Sequence, residues 1–339
     1  MASRRLAAAS IANSARRLPT GNTAGEFRTH ALALPADSAG LRFDQALARA
    51  LPQYSRARIA AWIAAGAVEV DGRPLRGKDR VLGGEQVRVR AELPAETRDS
   101  PEDIPLEVVF RDRALLVIDK PAGLVVHPGA GNTRHTLKNA LLALDPKLAL
   151  VPRAGLVHRL DKDTSGLLLV ARTVEAHTSL IAAMSAREIT REYLAVCTGV
   201  MTGGGTIDEP IGRHRTQRTR MAVRSDGRPA VTHYRIVERF RAHTLLRVTL
   251  ETGRTHQIRV HLAHAGFPLV GDPLYGGRRR LPAGLSAHLA AELRSFPRQA
   301  LHAARLQLVH PVSGREIQWQ APLPADLRRL LAALETDRT

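Results

Sequence analysis

His158-Arg159-Leu160-Asp161-Lys162-Asp163-Thr164-Ser165-Gly166 runs directly into the apolar stretch Leu167-Leu168-Leu169-Val170-Ala171. A polar knot that carries two carboxylates thus abuts a segment of strand length, which delivers an acid to the wall of the core. Taken alone, such a knot is also an ordinary turn whose Asp and Ser side chains bond nearby backbone amides. The spacing Asp161-x-Asp163-x-Ser165-Gly166 looks like the opening of a calcium loop, which needs a bidentate Glu at its twelfth position. Arg172 stands there instead, and a cation repels the metal, so calcium is set aside.

The 339 residues suffice for two domains or one large one, and 44% hydrophobic content supports a real core. Fifty Lys+Arg against 32 Asp+Glu give a formal net charge of +18, which points to a polyanionic partner, nucleic acid first. Cys197 is the single cysteine, so no internal disulfide is possible and a reducing, cytoplasmic compartment is expected. No apolar run approaches the length of a membrane span, so no membrane partner is expected. Residues 1–38 start with a stretch rich in Ala, Arg and Ser and read as a disordered basic tail, a composition that also suits an organelle transit peptide.

From Leu41 the pattern becomes regular. Leu41, Phe43, Ala46, Leu47 and Leu51 recur at helical intervals up to Pro52, and Ser55 caps a second helix carrying Ile59, Trp62 and Ile63, ended by Gly66. Val68 and Val70 alternate into an Asp71-Gly72 turn, and Val87 and Val89 form another strand. This small α/β domain, 39–91, is decorated with Arg56, Arg58, Arg73, Arg76, Lys78, Arg80, Arg88 and Arg90. Residues 92–104 are polar and contain prolines, and read as a linker.

A second domain is expected over 105–325, with a C-terminal tail over 326–339. Leu115-Leu116-Val117-Ile118 reads as a buried strand, Leu137 to Leu144 and Thr178 to Ala186 as helices, and Arg191 to Val196 as a strand with Tyr193 and Ala195 on one face. Val231 to Val237 and Leu245 to Leu250 alternate as antiparallel strands, and Arg278 to Arg298 looks like an insertion with a short helix. Between Gly212 and Arg228 the chain holds Arg213, Arg215, Arg218, Arg220, Arg224 and Arg228 against one acid, Asp226. Such a run is a solvated loop or, beside a second basic module, a clamp for a nucleic-acid backbone. His256, His261 and His264 raise the question of a metal, yet they lack the Glu of a zinc-protease helix and no Cys is near, so none is expected.

Three long words, HRLDKDTSGLLLVAR, REYLAV and ETGRTHQIRVHLAHAGFPLVGDPLYGG, occur in that order and resemble the RluA/RluD-type family of ribosomal RNA pseudouridine synthases, from about Asp103 to Pro322. The basic module likewise resembles a small RNA-binding domain found in a small-subunit ribosomal protein. The resemblance implies an α+β fold with a mixed, largely antiparallel central sheet and flanking helices, plus the N-terminal α/β module. It implies action on large-subunit ribosomal RNA without a cofactor; a monomer is expected.

Turning uridine into its carbon-linked isomer breaks the bond from the sugar to N1 and makes one to C5, with no net redox change. A carboxylate suits that chemistry, as in retaining glycosidases, and the resemblance places it on Asp161. The sequence leaves attack on the base, attack on the sugar and elimination across the sugar equally open. An acid beside a buried strand needs a compensating cation, and the resemblance to the TGRTHQIR word points to Arg254. Tyr193 resembles the tyrosine that lies against the base and takes the C5 proton, and Arg159 the residue that enters the RNA in place of the flipped base. Arg56, Arg58, Arg213, Arg215, Arg218 and Arg220 are the expected RNA contacts. The competing reading is an RNA-binding ribosome-assembly factor of the same fold without turnover.

Overall fold

Helical spacing of Phe43, Ala46 and Leu47, and of Ile59 and Trp62, gives two short helices that bury those side chains against one face of a small sheet. The computed structural model describes residues 26–51, 56–93, 100–129, 132–217, 219–277 and 281–337. It divides into two units, Met1–Arg98 and Asp99–Thr339. The first consists of β1 (Glu26–Ala33), α1 (Phe43–Ala50), α2 (Arg56–Ala64), β2 (Val68–Val70), β3 (Arg73–Pro74) and β4 (Gln86–Leu93), with sheet order β1-β4-β2-β3. Asp71 and Gly72 both have positive φ, 48° and 76°, as a tight turn between β2 and β3 requires. The segment read as a tail is corrected here, because Glu26–Ala33 pairs along β4 over its whole length. Ser55 lies outside the described residues.

The second unit follows as β5 (Glu107–Arg111), β6 (Leu115–Lys120), α3 (Leu137–Leu144), β7 (Ser165–Ala171), α4 (Val174–Ser185), β8 (Thr190–Thr198), β9 (Gly205–Asp208), β10 (Ile211–Arg213), β11 (Met221–Val223), β12 (Val231–Arg239), β13 (His243–Leu250), α5 (Gln257–His264), α6 (Ala287–Ser295), β14 (Leu301–Val309), β15 (Glu316–Gln320) and α7 (Ala325–Thr336). The large sheet runs β5-β6-β7-β14-β8-β13-β12-β9, with β15 paired to β14, while β10 and β11 form a separate hairpin. Every pairing in the large sheet is antiparallel except β7 with β14. The architecture is therefore α+β with a mixed, largely antiparallel sheet.

Strand β7 is buried at all its positions, which explains why its sequence is continuously apolar rather than alternating. Leu168 and Val170 enter one cluster with Leu137 and Leu141 of α3 and Ile258 and Leu262 of α5. Leu167 and Leu169 enter another with Ala176 and Leu180 of α4. At its start Gly166, φ 112°, lies so close to β14 that a Cβ would stand 2.3 Å from the Ala303 carbonyl oxygen, so only glycine fits this crossing. The residues read as a C-terminal tail form α7, whose Leu327, Leu330 and Leu334 pack with Leu289 and Leu293 of α6. Their i, i+3, i+7 spacing carried that information.

Three histidines of this unit, His243 and His302 buried and His158 half-buried, are held neutral. Burial pushes His158 down to about 3 and His243 and His302 to about 4, from an ordinary 6.5. The folded chain refuses protons that the unfolded chain accepts, so the stability present above pH 6.5 is lost progressively as the pH falls toward 4. Urea unfolding should show a lower midpoint at pH 5 than at pH 7, before most carboxylates titrate; a midpoint constant over that interval would contradict the buried neutral imidazoles.

Candidate active site

The knot that precedes β7 is fastened by its backbone. Lys120, the last residue of β6, is fully buried and its Nζ donates to the carbonyls of Pro121, Leu124 and Lys162 at 2.7, 2.9 and 3.0 Å. Burial pushes its ammonium down to about 7 against the pull of Asp163 and Asp161. Arg298 donates to the Asp163 carbonyl at 3.2 Å, Gln299 to the Thr164 hydroxyl at 3.1 Å, and the Leu169 N–H to His158 Nε2 at 3.1 Å. A turn closed by the Thr164 N–H on the Asp161 carbonyl, 3.1 Å, then presents the Asp161 side chain at the surface of a groove, 15% exposed.

The cation that meets Asp161 is Arg259, not Arg254. Arg259 Nη1 donates to Asp161 Oδ2 at 3.0 Å, while its Nε and Nη2 donate to Asp272 at 2.7 and 2.9 Å. Arg254 sits in the loop between β13 and α5, and its Nε donates to the Pro229 carbonyl at 3.0 Å. The physical reason is the change of element: Gln257 Oε1 accepts from Thr252 Oγ1 and the Arg254 N–H at 2.8 and 2.9 Å, which closes the loop before the helix begins. A side chain in the first turn of α5 then reaches Asp161, and one before it does not. The spacing of Ile258 and Leu262, ended by Gly266 at φ 86°, was the available helix signal.

Asp272, from the GDPLYGG word, was not singled out by sequence reasoning. Its side chain is fully buried, and burial pushes the carboxyl up, but the two bonds from Arg259 and those from the Leu274 and Tyr275 N–H groups outweigh this and hold it below the usual range. Burial likewise disfavours the Arg259 guanidinium, and its two carboxylate partners more than restore the charge.

Two cavities share Asp161, Arg159, His256 and Arg259 in their walls. One, about 470 Å³, is closed by Tyr193, Arg191, Arg254 and Leu301; the other, about 420 Å³, by Val126, His127, Leu274 and Gln299. Tyr193 is 5% exposed, and burial pushes its hydroxyl above the ordinary value, against Arg191 and with Asp161. Arg159 is exposed on the shared wall. Of the expected RNA contacts, Arg213 and Arg215 are exposed on or beside the β10–β11 hairpin. Arg220 lies 5.1 Å over the Tyr275 ring, and Arg56 is exposed and pairs with Asp44 at 3.2 Å. Arg218 and the side chain of Arg58 lie outside the described residues. Among the described residues no group of three His, Cys, Asp or Glu is arranged to hold a metal. His261 has both nitrogens engaged, at 2.9 Å from Thr232 Oγ1 and 2.9 Å from the Glu209 carbonyl. No described helix is long and apolar enough to cross a membrane.

Residues 114–264 match the family described as RNA pseudouridylate synthase, and residues 41–87 match the S4 domain. The chain is 58% identical over 304 residues to the ribosomal large subunit pseudouridine synthase D of Xanthomonas campestris, covering 90% of this chain and 92% of the relative. It is 58% identical over 299 residues to the Escherichia coli K12 protein of the same description, covering 88% and 92%. With that of Pseudomonas aeruginosa it shares 56% over 305 residues, covering 90% and 95%. Among solved structures, human RNA pseudouridylate synthase domain containing 1 superposes with a TM-score of 0.53 at 28% identity, covering 68% of this chain and 89% of that one. Human RNA pseudouridylate synthase domain containing 4 gives 0.54 at 26%, covering 68% and 93%.

Replacing Asp272 with Asn removes the charge that neutralises a buried guanidinium. Breaking a buried pair from one side typically costs about 3 kcal/mol or more, so the midpoint of urea unfolding should fall by a corresponding amount. An unchanged midpoint would mean that Asp272 and Arg259 do not form the buried pair.

Proposed function

Because the chain belongs to the RNA pseudouridylate synthase family, we propose that it isomerises specific uridines of large-subunit ribosomal RNA to pseudouridine, with Asp161 as the reacting carboxylate. The observation that carries the reading is the Asp161 carboxylate, fixed by Arg259 at 3.0 Å on the wall shared by the two cavities. The target nucleotide is turned out of its stack and enters between them. The N1–C1′ bond breaks, the ring rotates while it is held, C5 bonds to C1′, and the C5 proton is lost as N1 regains one. Atoms and electrons balance without a cofactor.

Each surrounding side chain has a part in that reaction. Tyr193, buried on the wall of the first cavity, lies against the uracil. Arg159 fills the space left in the RNA by the extruded base. Arg254, on the groove wall and oriented by the Pro229 carbonyl, contacts the RNA rather than Asp161. The exposed arginines of the β10–β11 region and of the S4 domain bind phosphates, which fixes register without reading sequence. The protein acts as a monomer in this reading, and the cytoplasm is the compartment in which this RNA would be met.

On a transcribed ribosomal RNA fragment, Asp161→Asn should lower pseudouridine formation by at least about a thousandfold, on the scale of losing a nucleophile. Equal pseudouridine from variant and wild type would leave an RNA-binding assembly factor. Arg259→Ala should lower kcat by about a hundredfold or more, whereas Arg254→Ala should act chiefly on KM; the reverse pattern would return the pairing role to Arg254. The double variant Arg213→Ala, Arg215→Ala should flatten the plot of log affinity against log salt by roughly one to two, since the slope carries about 0.7 to 0.9 for each phosphate that a cation neutralises. A slope equal to that of the wild type would remove these residues from the interface.

A further inference from the structure

Asp161 offers two carboxylate oxygens, and Arg259 occupies Oδ2. Facing Oδ1 is His256, whose Nε2 lies 4.0 Å away and whose ring forms part of the walls of both cavities. We propose that His256 is a further positioning residue of the reaction: Tyr275 locks its imidazole with the proton on Nε2, and that N–H steadies Oδ1 of Asp161 when RNA closes the groove. The inference rests on the reading of Asp161 as the reacting carboxylate.

Two hydrogen bonds determine where the proton sits. The Met221 N–H donates to the Tyr275 Oη at 2.9 Å, and the same Oη stands 2.8 Å from His256 Nδ1. Having accepted from the backbone, the phenol directs its own proton to Nδ1, and the imidazole then carries hydrogen on Nε2. The guanidinium groups of Arg220 and Arg259, each 5.1 Å from the centre of the Tyr275 ring, supply no acceptor that would draw the phenol proton elsewhere. Burial pushes the Tyr275 hydroxyl above its ordinary value, so it stays a donor. Burial also dominates at His256 and lowers it; Asp161 and Asp272 pull it up, while Arg259 and Arg159 push it down.

The backbone supports the same assignment. His256 caps α5 in the left-handed region, φ 57° and ψ 21°, a conformation that costs a non-glycine residue energy and is found where a side chain must be aimed. Its neighbours on both sides are fastened: Gln257 bonds the Val231 carbonyl at 2.9 Å, and Asp272, which anchors Arg259, also accepts the Tyr275 N–H at 3.0 Å. One buried carboxylate thus sets both arms that face Asp161. A separation of 4.0 Å is longer than a hydrogen bond, as is common in active sites before substrate binds.

The test uses the full chain, histidine-labelled with ¹⁵N, and a ribosomal RNA transcript. The imidazole nitrogen shifts should report the Nε2–H form of His256 in the wild type and loss of that preference in Tyr275→Phe; an Nδ1–H wild type would overturn the proposal. His256→Asn, which tolerates the left-handed backbone but does not reach Asp161, should lower kcat at least tenfold with KM for RNA within twofold. Tyr275→Phe, which leaves that backbone untouched, should lower kcat in the same direction, and His256→Gln should recover part of the loss. Full kcat in His256→Asn, or a change confined to KM, would overturn the role. If Asp161→Asn itself remains active, the underlying reading fails; if it is inactive while His256→Asn turns over fully, only this inference fails.

Discussion

A single guanidinium shared between two carboxylates is the constraint on which the rest of the second unit depends. Arg259 spends two of its N–H groups on buried Asp272 and a third on Asp161, so the position of the carboxylate at the groove is inherited from the buried one. A lone arginine at the edge of a groove would trade partners with solvent. One held in a bidentate bond inside the protein cannot, because releasing it would strand two charges in the interior. Asp161 therefore faces a cation that is already committed to its geometry before any substrate arrives.

That arrangement is useful only if the other end of Asp161, its main chain, is equally fixed. The knot is a polar turn, and turns of this composition are ordinarily mobile. Here the Lys162 carbonyl accepts from Lys120, and the Asp163 carbonyl accepts from Arg298. Arg298 is itself paired with Asp326 of α7 at 2.7 Å, so the last helix of the chain takes part in holding the first word that suggested a site. Asp163, which repeats the carboxylate of Asp161 two residues on, contributes its backbone to this scheme. Both residues line the second cavity, and it is Asp161 that meets the Arg259 guanidinium.

Both units carry exposed arginines. The S4 domain places arginines on an exposed surface built on a core of Phe43, Leu47, Ile59 and Trp62. The catalytic unit carries its own basic hairpin, one of whose arginines, Arg220, is stacked on Tyr275 and so connects the hairpin to the site. A net charge of +18 leaves cations to spare beyond those, such as Arg259, that are committed to internal geometry.

What the amino-acid sequence determined by itself was everything that depends on local pattern. The buried strand after the polar knot, the two-helix module with its Asp71-Gly72 turn and the antiparallel alternation of β12 and β13 follow from residues near one another in the chain, whereas Asp161 was singled out by the resemblance of its word to a known family. Strand β1 and helix α7 were legible only in part, since their burial comes from partners far along the chain: β4 for one, α6 for the other. Which arginine meets Asp161 was decided by tertiary structure alone. Arg254 and Arg259 belong to one word, and only the closure of the loop by Gln257 and the start of α5 turn the second inward and leave the first on the wall. Asp272 and Tyr275 stand in the GDPLYGG word, which marks the place but not the part they play, because their roles exist only as distances to groups that folding brings alongside them.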